Sequence, residues 1–215
     1  MTLRTVVIAT RSAGKLREMR AILHERGFIA HSLDEAGVPE HSAESQLEHF
    51  DSFEANARAK AEYFARMLAG RAVIADDSGL VVDALDGQPG VRSKRWSNVA
   101  EDHPQLDAIN NARLLSELER AGATRSEERT AHYVCAMSYV EAGAKSVSVD
   151  ALGRCDGIIL SEPRGTSGFG YDPLFWSVDL QRAFGDVSRE AKAAVSHRAR
   201  ALRALLDAVE HAQSG

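Results

Sequence analysis

Thr5 to Ala9 (TVVIA) is a short uninterrupted apolar run, the pattern of a buried strand. Ser12 then stands as a helix cap, and Leu16, Met19, Ile22 and Leu23 recur at helical spacing until Gly27 stops them. A second strand is expected from Phe28 to Leu33, followed by a polar, acidic loop from Asp34 to Asp51 whose lack of periodicity marks it as a mobile or ligand-facing segment. Asp51 and Glu54 have capping-box spacing and open an alanine-rich helix to about Leu68, with Phe53, Ala57, Ala61, Phe64 and Leu68 inward and Arg58 and Glu62 outward.

Further on, Ala72 to Ala75 and Leu80 to Val82 read as two short strands around a break at Asp76, Asp77, Ser78 and Gly79, with a turn at Gly87 to Gly90. A helix is expected from about Pro104 to Arg120. Thr130 to Val140 and Lys145 to Cys155, separated by Glu141 to Ala144, predict an antiparallel hairpin that Gly157 to Leu160 extends. Pro163 to Pro173 is a glycine-rich loop, and a helix from about Ser196 to His211 carries Leu202, Leu205, Leu206 and Val209 on one stripe. No repeat or linker interrupts this order, so residues 1–215 are read as one α/β domain.

Composition narrows the function classes. A chain of 215 residues buries a sizeable core without staples. The formal charge of -5 and the lack of a long basic run argue against a nucleic-acid partner. Cys135 and Cys155 form no CxxC or metal-ligand spacing and read as small buried hydrophobes of a reducing compartment. The first apolar run is too short for a signal segment and no run approaches a membrane span, so no membrane partner and a cytoplasmic location are expected. None of the eight histidines has zinc-ligand spacing.

Four clusters carry candidate chemistry. The acidic pair Asp76 and Asp77 sits at a strand end; on a strand the two side chains point to opposite faces, so one would face a ligand while the other caps the Ser78 and Gly79 N–H groups, or both serve as such caps. Thr10, Arg11, Ser12, Ala13, Gly14 and Lys15 join a strand to a helix N-terminus, where free amides and the dipole favour phosphate. An ordinary capped helix would use the same residues, and the P-loop spacing is missing. Phe169, Gly170, Tyr171 and Asp172 combine close backbone approach with rings that stack on a base or sugar, as a plain turn over the core also would. Lys192, Ser196, His197 and Arg198 offer donors suited to carbonyl oxygens, or a solvated basic helix start.

Taken in order, ATRSAGKLREM from Ala9, SFEANARAKA from Ser52, IADDSGL from Ile74, PGVRSKRWS from Pro89, EPRGTSGFGYDP from Glu162 and SREAKAAVSHRARAL from Ser188 resemble the inosine triphosphate pyrophosphatase family over nearly the whole chain. The resemblance implies an elongated mixed β-sheet flanked by helices, in two lobes with a central cleft. It implies hydrolysis of ITP, dITP and XTP to the monophosphate and pyrophosphate, a Mg²⁺ requirement with Mn²⁺ as the alternative, and a homodimer. Carried over by position, it places phosphate contacts at Thr10 to Lys15, metal and catalytic roles at Asp77 with Lys15, a second metal ligand at Glu48, and nucleoside contacts at Ser78, Phe169 to Asp172, Lys192, His197 and Arg198. Glu44 rivals Glu48 because the acidic loop looks longer than usual. Ser12 stands where the family has Asn, and Ala55 where it has Glu. The rival from another class is a nucleotide-binding regulator without catalysis.

Overall fold

The computed structural model describes residues 4–142 and 146–214. Among these, seven strands form one mixed sheet: β1 (Arg4–Ile8), β2 (Phe28–Ser32), β3 (Val73–Val82), β4 (Thr130–Glu141), β5 (Val147–Ile159), β6 (Phe175–Ser177) and β7 (Arg182–Ala183). Their order is β2-β1-β3-β4-β5-β6-β7. β1 runs parallel to both β2 and β3, whereas β6 is antiparallel to β5 and to β7. Five helices accompany it: α1 (Ala13–Glu25), α2 (Phe53–Met67), α3 (Leu106–Arg120), α4 (Arg189–Val195) and α5 (His197–Ser214). No described helix is long and apolar enough to cross a membrane.

The chain divides into two compact units. One comprises residues 1–77, 135–153 and 198–215, the other residues 78–134 and 154–197. In the first, alternate β-strand positions feed two cores. Val6, Ile8 and Ile74 pack with Met19 and Leu23 of α1 and with Leu202, Leu205 and Leu206 of α5, while Val7, Ala9, Val73 and Ala75 pack with Ala61 and Phe64 of α2. That alternation is the pleat of β1 and β3, with helices on both faces. In the second unit, Leu80 and Val82 join Leu114 and Leu118 of α3, Tyr133, Phe175 and Phe184. Both cysteines are free and buried, one in each unit.

Several local expectations are corrected. Strand β3 is continuous from Val73 to Val82, so Asp76 to Gly79 lie within a strand and not at a break. Ser52, not Asp51, caps α2, its hydroxyl accepting from the Ala55 N–H at 3.2 Å. The acidic loop contains a 3₁₀ turn at Ser42–Gln46. The helix expected from about Ser196 to His211 is α5, and a further short helix, α4, ends before it at Ser196, which is extended at φ -63°, ψ 151°. β4 and β5 are sheet neighbours as the hairpin pattern predicts, and Gly157 to Ile159 belong to β5 itself; residues 143 and 144 of the expected connection and residue 145 of the expected strand lie outside those described.

Ser52 as cap gives the Ala55 departure a physical meaning. Ala55 is the third helical residue, where a Glu would reach back to the Ser52 N–H and complete a reciprocal capping box. Ala55→Glu is therefore predicted to raise the urea midpoint, a gain of about 0.5–1 kcal/mol, without altering the α2 packing.

Candidate active site

The pleat of β3 sends its adjacent carboxylates to opposite faces. Asp76 follows Ile74 onto the face of α1 and α5; Asp77 follows Ala75 onto the face of α2. Both are buried, Asp76 completely and Asp77 to 5 % exposure. Such groups persist in a core only with partners.

Asp76 has cationic partners on two helices. Lys15 Nζ lies 3.0 Å and Arg198 Nε 3.3 Å from its Oδ2, and the Cys135 thiol lies 3.9 Å from the same oxygen. Burial opposes the Asp76 charge, but Lys15, Arg198 and Lys60 outweigh it and hold its pKa far below the ordinary carboxylate value. Arg198 also donates to Glu18, and its guanidinium is held firmly charged against its own burial. Deleting one member of a buried pair leaves the other uncompensated, at about 3–5 kcal/mol. Arg198, expected beside the nucleoside donors, is thus a buried partner of Asp76 in the first unit.

Asp77 is placed differently. Its Oδ2 accepts from Asn56 Nδ2 of α2 at 2.9 Å. Burial and the nearby negative charge of Glu48 push its pKa up to about 6 against the opposing pull of Lys15 and Lys60. Glu48 in turn accepts from Lys60 Nζ. Burial disfavours the Lys60 charge, yet Glu48, Asp76 and Asp77 together hold its pKa above the ordinary value. An ammonium therefore stands where two carboxylates share positive charge, which is the donor set that a hard cation would take over. Among the described residues no group of three His, Cys, Asp or Glu side chains is arranged to hold a metal alone, so such a cation would need oxygens from a ligand or from water.

The loop between β1 and α1 surrounds Lys15 with backbone donors. Ser12 caps α1, its Oγ accepting from the Lys15 N–H at 3.4 Å, and the Ser12 N–H donates to Thr10 Oγ1 at 3.2 Å. The amides of Ala13 and Gly14, at the first two helical positions, have no acceptor within the helix. Arg11, expected among the phosphate contacts, turns to the acidic segment, donating to both oxygens of Glu44, to Asp34 and to the Val38 carbonyl. Glu44 is thereby engaged by Arg11, while Glu48 meets Lys60.

In the second unit, Asp172 is buried to 2 % exposure and accepts from the Phe169 N–H at 2.9 Å and from Lys192 Nζ of α4 at 2.6 Å. The Lys192 ammonium also lies 4.9 Å from the Phe169 ring centroid and 5.4 Å from that of Phe184. Tyr171 is buried and donates to the Ser93 carbonyl at 2.8 Å, which anchors the loop. His197 stacks on Tyr133, with centroids 4.5 Å apart and planes at 11°. Ser78 is half-buried within β3. Of the expected nucleoside residues, Phe169, Asp172 and Lys192 are brought into one cluster. Asn56, Lys60 and Tyr133 were not singled out by pattern; Asn56 and Lys60 were traceable, because with Phe64 they recur every fourth residue on one stripe of α2.

A sequence model of the Ham1 family matches residues 6–208. A dITP/XTP pyrophosphatase of Geobacter sulfurreducens is 45% identical over 203 residues, covering 94% of this chain and 94% of the relative. One from Geobacillus kaustophilus is 43% identical, covering 94% of this chain and 93% of the relative. Among solved structures, a HAM1 protein from Coxiella burnetii aligns with a TM-score of 0.77 at 31% identity over 97% of this chain and 99% of its own. A nucleoside-triphosphatase, dITP/XTP pyrophosphatase, from Mycobacterium abscessus aligns with a TM-score of 0.70 at 39% identity over 95% of this chain and 99% of its own.

Two consequences of this geometry are measurable. In the metal-free protein Asp77 binds its proton more tightly folded than unfolded, so its burdened charge lowers stability above about pH 6 and that burden disappears as the pH falls toward 4. Asp77→Asn, which keeps the Asn56 hydrogen bond, is predicted to stabilise the metal-free protein by about 1–3 kcal/mol at pH 8 in urea unfolding, with the gain shrinking toward pH 4. Separately, Gly168 has φ +82° and a Cβ there would overlap the Asp172 carboxylate, whereas a Cβ at Gly170, φ +62°, would meet open space. Gly170→Ala should cost about 1–2 kcal/mol of left-handed strain, and Gly168→Ala distinctly more, as read by thermal unfolding of the two variants.

Proposed function

The chain belongs to the Ham1 family, and from that membership together with the Asp76, Asp77 and Lys15 cluster we propose that it hydrolyses deaminated purine nucleoside triphosphates, ITP, dITP and XTP, to the monophosphate and pyrophosphate. The observation that carries the reading is the division of labour on β3. Asp76 is neutralised by Lys15 and Arg198, while Asp77 bears a charge its surroundings leave under-compensated, within the electrostatic reach of Lys15 in the first turn of α1. The activity removes damaged purines from the nucleotide pool. We place the enzyme in the cytoplasm as a homodimer, following the same family likeness.

Asp77 and Glu48 are the residues that would hold Mg²⁺, with Mn²⁺ as the alternative. When bound, the ion offsets negative charge on the phosphate oxygens and on the leaving pyrophosphate. Lys15 and the Ala13 and Gly14 amides hold the anionic tail, aided by the positive end of α1, with Thr10 and Ser12 shaping the loop. Asp77 orients the attacking water at the α-phosphorus; a carboxylate that also serves a cation is a weak base, so orientation is its main contribution.

On the nucleoside side, Phe169 and the peptide groups through Gly170 border the base, and Lys192, fixed by Asp172, presents an ammonium to the carbonyl at purine position six. Adenine has an amino donor there. Two donors facing each other leave a buried group unsatisfied, which supports discrimination of about 10⁴-fold. Ser78 and His197 complete the nucleoside contacts. Tyr171 acts through its anchor on Ser93, and Arg198 through Asp76 and Lys15.

The reading is tested by pyrophosphate release from ITP, XTP, dGTP and ATP with Mg²⁺ and with chelator. Selective release from ITP and XTP that chelator abolishes is the expected result. Asp77→Asn should lower kcat by at least 10³-fold with the fold intact; equal turnover in the variant would remove Asp77 from the reaction, and no turnover of any triphosphate by the parent protein would favour a binding protein without catalysis.

A further inference from the structure

The guanidinium of Arg11 has five N–H donors, and the acidic segment uses every one. Nε and Nη2 reach the two oxygens of Glu44 at 3.0 and 2.8 Å. Nη1 reaches Asp34 Oδ1 at 2.6 Å, and Nη1 and Nη2 each reach the Val38 carbonyl at 3.1 Å. The hydrogen bond to Glu44 is the largest influence holding the Arg11 pKa above its ordinary value, against partial burial. An arginine so saturated has no donor to spare for a phosphate, although it sits in the loop where phosphate is expected.

What it holds is informative. Glu44 lies in the 3₁₀ turn Ser42–Gln46, and its Oε1 also accepts from the His41 N–H at 3.0 Å. Its backbone carbonyl accepts from the Leu47 N–H at 3.1 Å, and the next residue is Glu48, whose carboxylate meets Lys60 of α2. One side chain from the β1–α1 loop thus ties down three points of a segment otherwise without regular structure, four residues before Glu48.

We propose that Arg11 is a positioning residue that clasps the segment from Asp34 to Glu44 and so presets Glu48 beside Lys60 and Asp77 for a divalent cation. The proposal rests on the reading of Glu48 and Asp77 as the cation's carboxylates. Its energetic form is preorganisation: a ligand that must wait for its segment to order binds more weakly by the fraction of time the segment is in place. If loss of the clasp lowers that fraction to about one tenth, cation affinity falls about tenfold with no contact to the cation itself removed. Lysine cannot replace the fork, because it is a point donor without the bidentate geometry that Glu44 meets.

The test uses the nucleotide-free full chain and Mn²⁺ titrated by electron paramagnetic resonance. Arg11→Ala and Glu44→Ala should each weaken Mn²⁺ binding about tenfold, Arg11→Lys nearly as much, and the double variant Arg11→Ala with Glu44→Ala no more than either alone, since one clasp is lost in each case. Hydrogen exchange of the amides at 44 and 47 should quicken in the same variants while those of α1 and β3 keep their protection. In turnover with ITP, the Mg²⁺ concentration for half-maximal rate should rise about tenfold, with kcat at saturating Mg²⁺ falling less than threefold. Unchanged Mn²⁺ affinity with a raised KM for the nucleotide would return Arg11 to the phosphate and overturn the proposal, as would additive losses in the double variant. Absence of pyrophosphate release from the parent protein would instead strike the enzymatic reading, while the Mn²⁺ titration and the exchange rates would still judge the clasp.

Discussion

Two neighbouring carboxylates buried in the middle of a sheet are the constraint around which the first unit is arranged. Neither Asp76 nor Asp77 could remain charged in a purely apolar core, where an unpaired carboxylate costs many kcal/mol. The pleat separates them, so each is answered by different helices: Asp76 by Lys15 of α1 and Arg198 of α5, Asp77 by Asn56 of α2 with Lys60 nearby. The sheet must therefore carry helices on both faces at that point, and the two cores that flank β3 are the packing consequence. The answer is deliberately unequal in effect. Asp76 has its pKa depressed and Asp77 has its raised, from residues adjacent in the chain.

The second unit uses the same economy with one buried pair. Asp172 gathers the Phe169 amide and the Lys192 ammonium, and Gly168 leaves the room that this requires. From α3, Asp107 accepts from the Gly170 N–H at 2.7 Å and Asn111 donates to the Gly170 carbonyl at 3.0 Å, so both polar groups of that residue are held from one helix face, four residues apart. Tyr171 adds its bond to Ser93. A loop rich in glycine is made rigid by side chains from outside it, which is how a flexible sequence presents a fixed ring and a fixed ammonium.

Where hydrophobic spacing was strong, the elements were legible: Thr5 to Ile8 of the TVVIA run lie in β1, Ser12 proved to be the cap of α1, and of the expected inward stripe Ala57, Ala61, Phe64 and Leu68 lie in the core while Phe53 is half-buried. The misread places share a cause. Asp76 to Gly79 resemble a strand break because local pattern scores charge as exposure, yet the cations that permit their burial come from Lys15, Lys60 and Arg198, up to 122 residues away in sequence. The same holds for Arg11, whose position suited a phosphate and whose partners in the acidic segment no spacing rule announces. The start of the last helix was legible as well: α5 begins at His197, one residue after the expected Ser196, whose extended backbone ends α4. Motif resemblance singled out residues without their individual contacts, since a motif records that a residue recurs and not which neighbour it serves.

Charge balance in the first unit says what the unequal pair is waiting for. Among the described residues, the carboxylates of Glu18, Glu48, Asp76 and Asp77 are gathered around the cations of Lys15, Lys60 and Arg198, an excess of one negative charge that falls on Asp77. A bare triphosphate would add several more negative charges to that cluster, and Lys15, already paired with Asp76, could not offset them alone. A divalent cation arriving with the triphosphate, held as proposed by Glu48 and Asp77, would reverse the balance: it would relieve the mutual repulsion of the two carboxylates and let Lys15 turn part of its field to the phosphate tail. On that proposal the acid whose charge the protein compensates least would be the one most relieved on binding, and binding energy would be concentrated where the bond is to be broken.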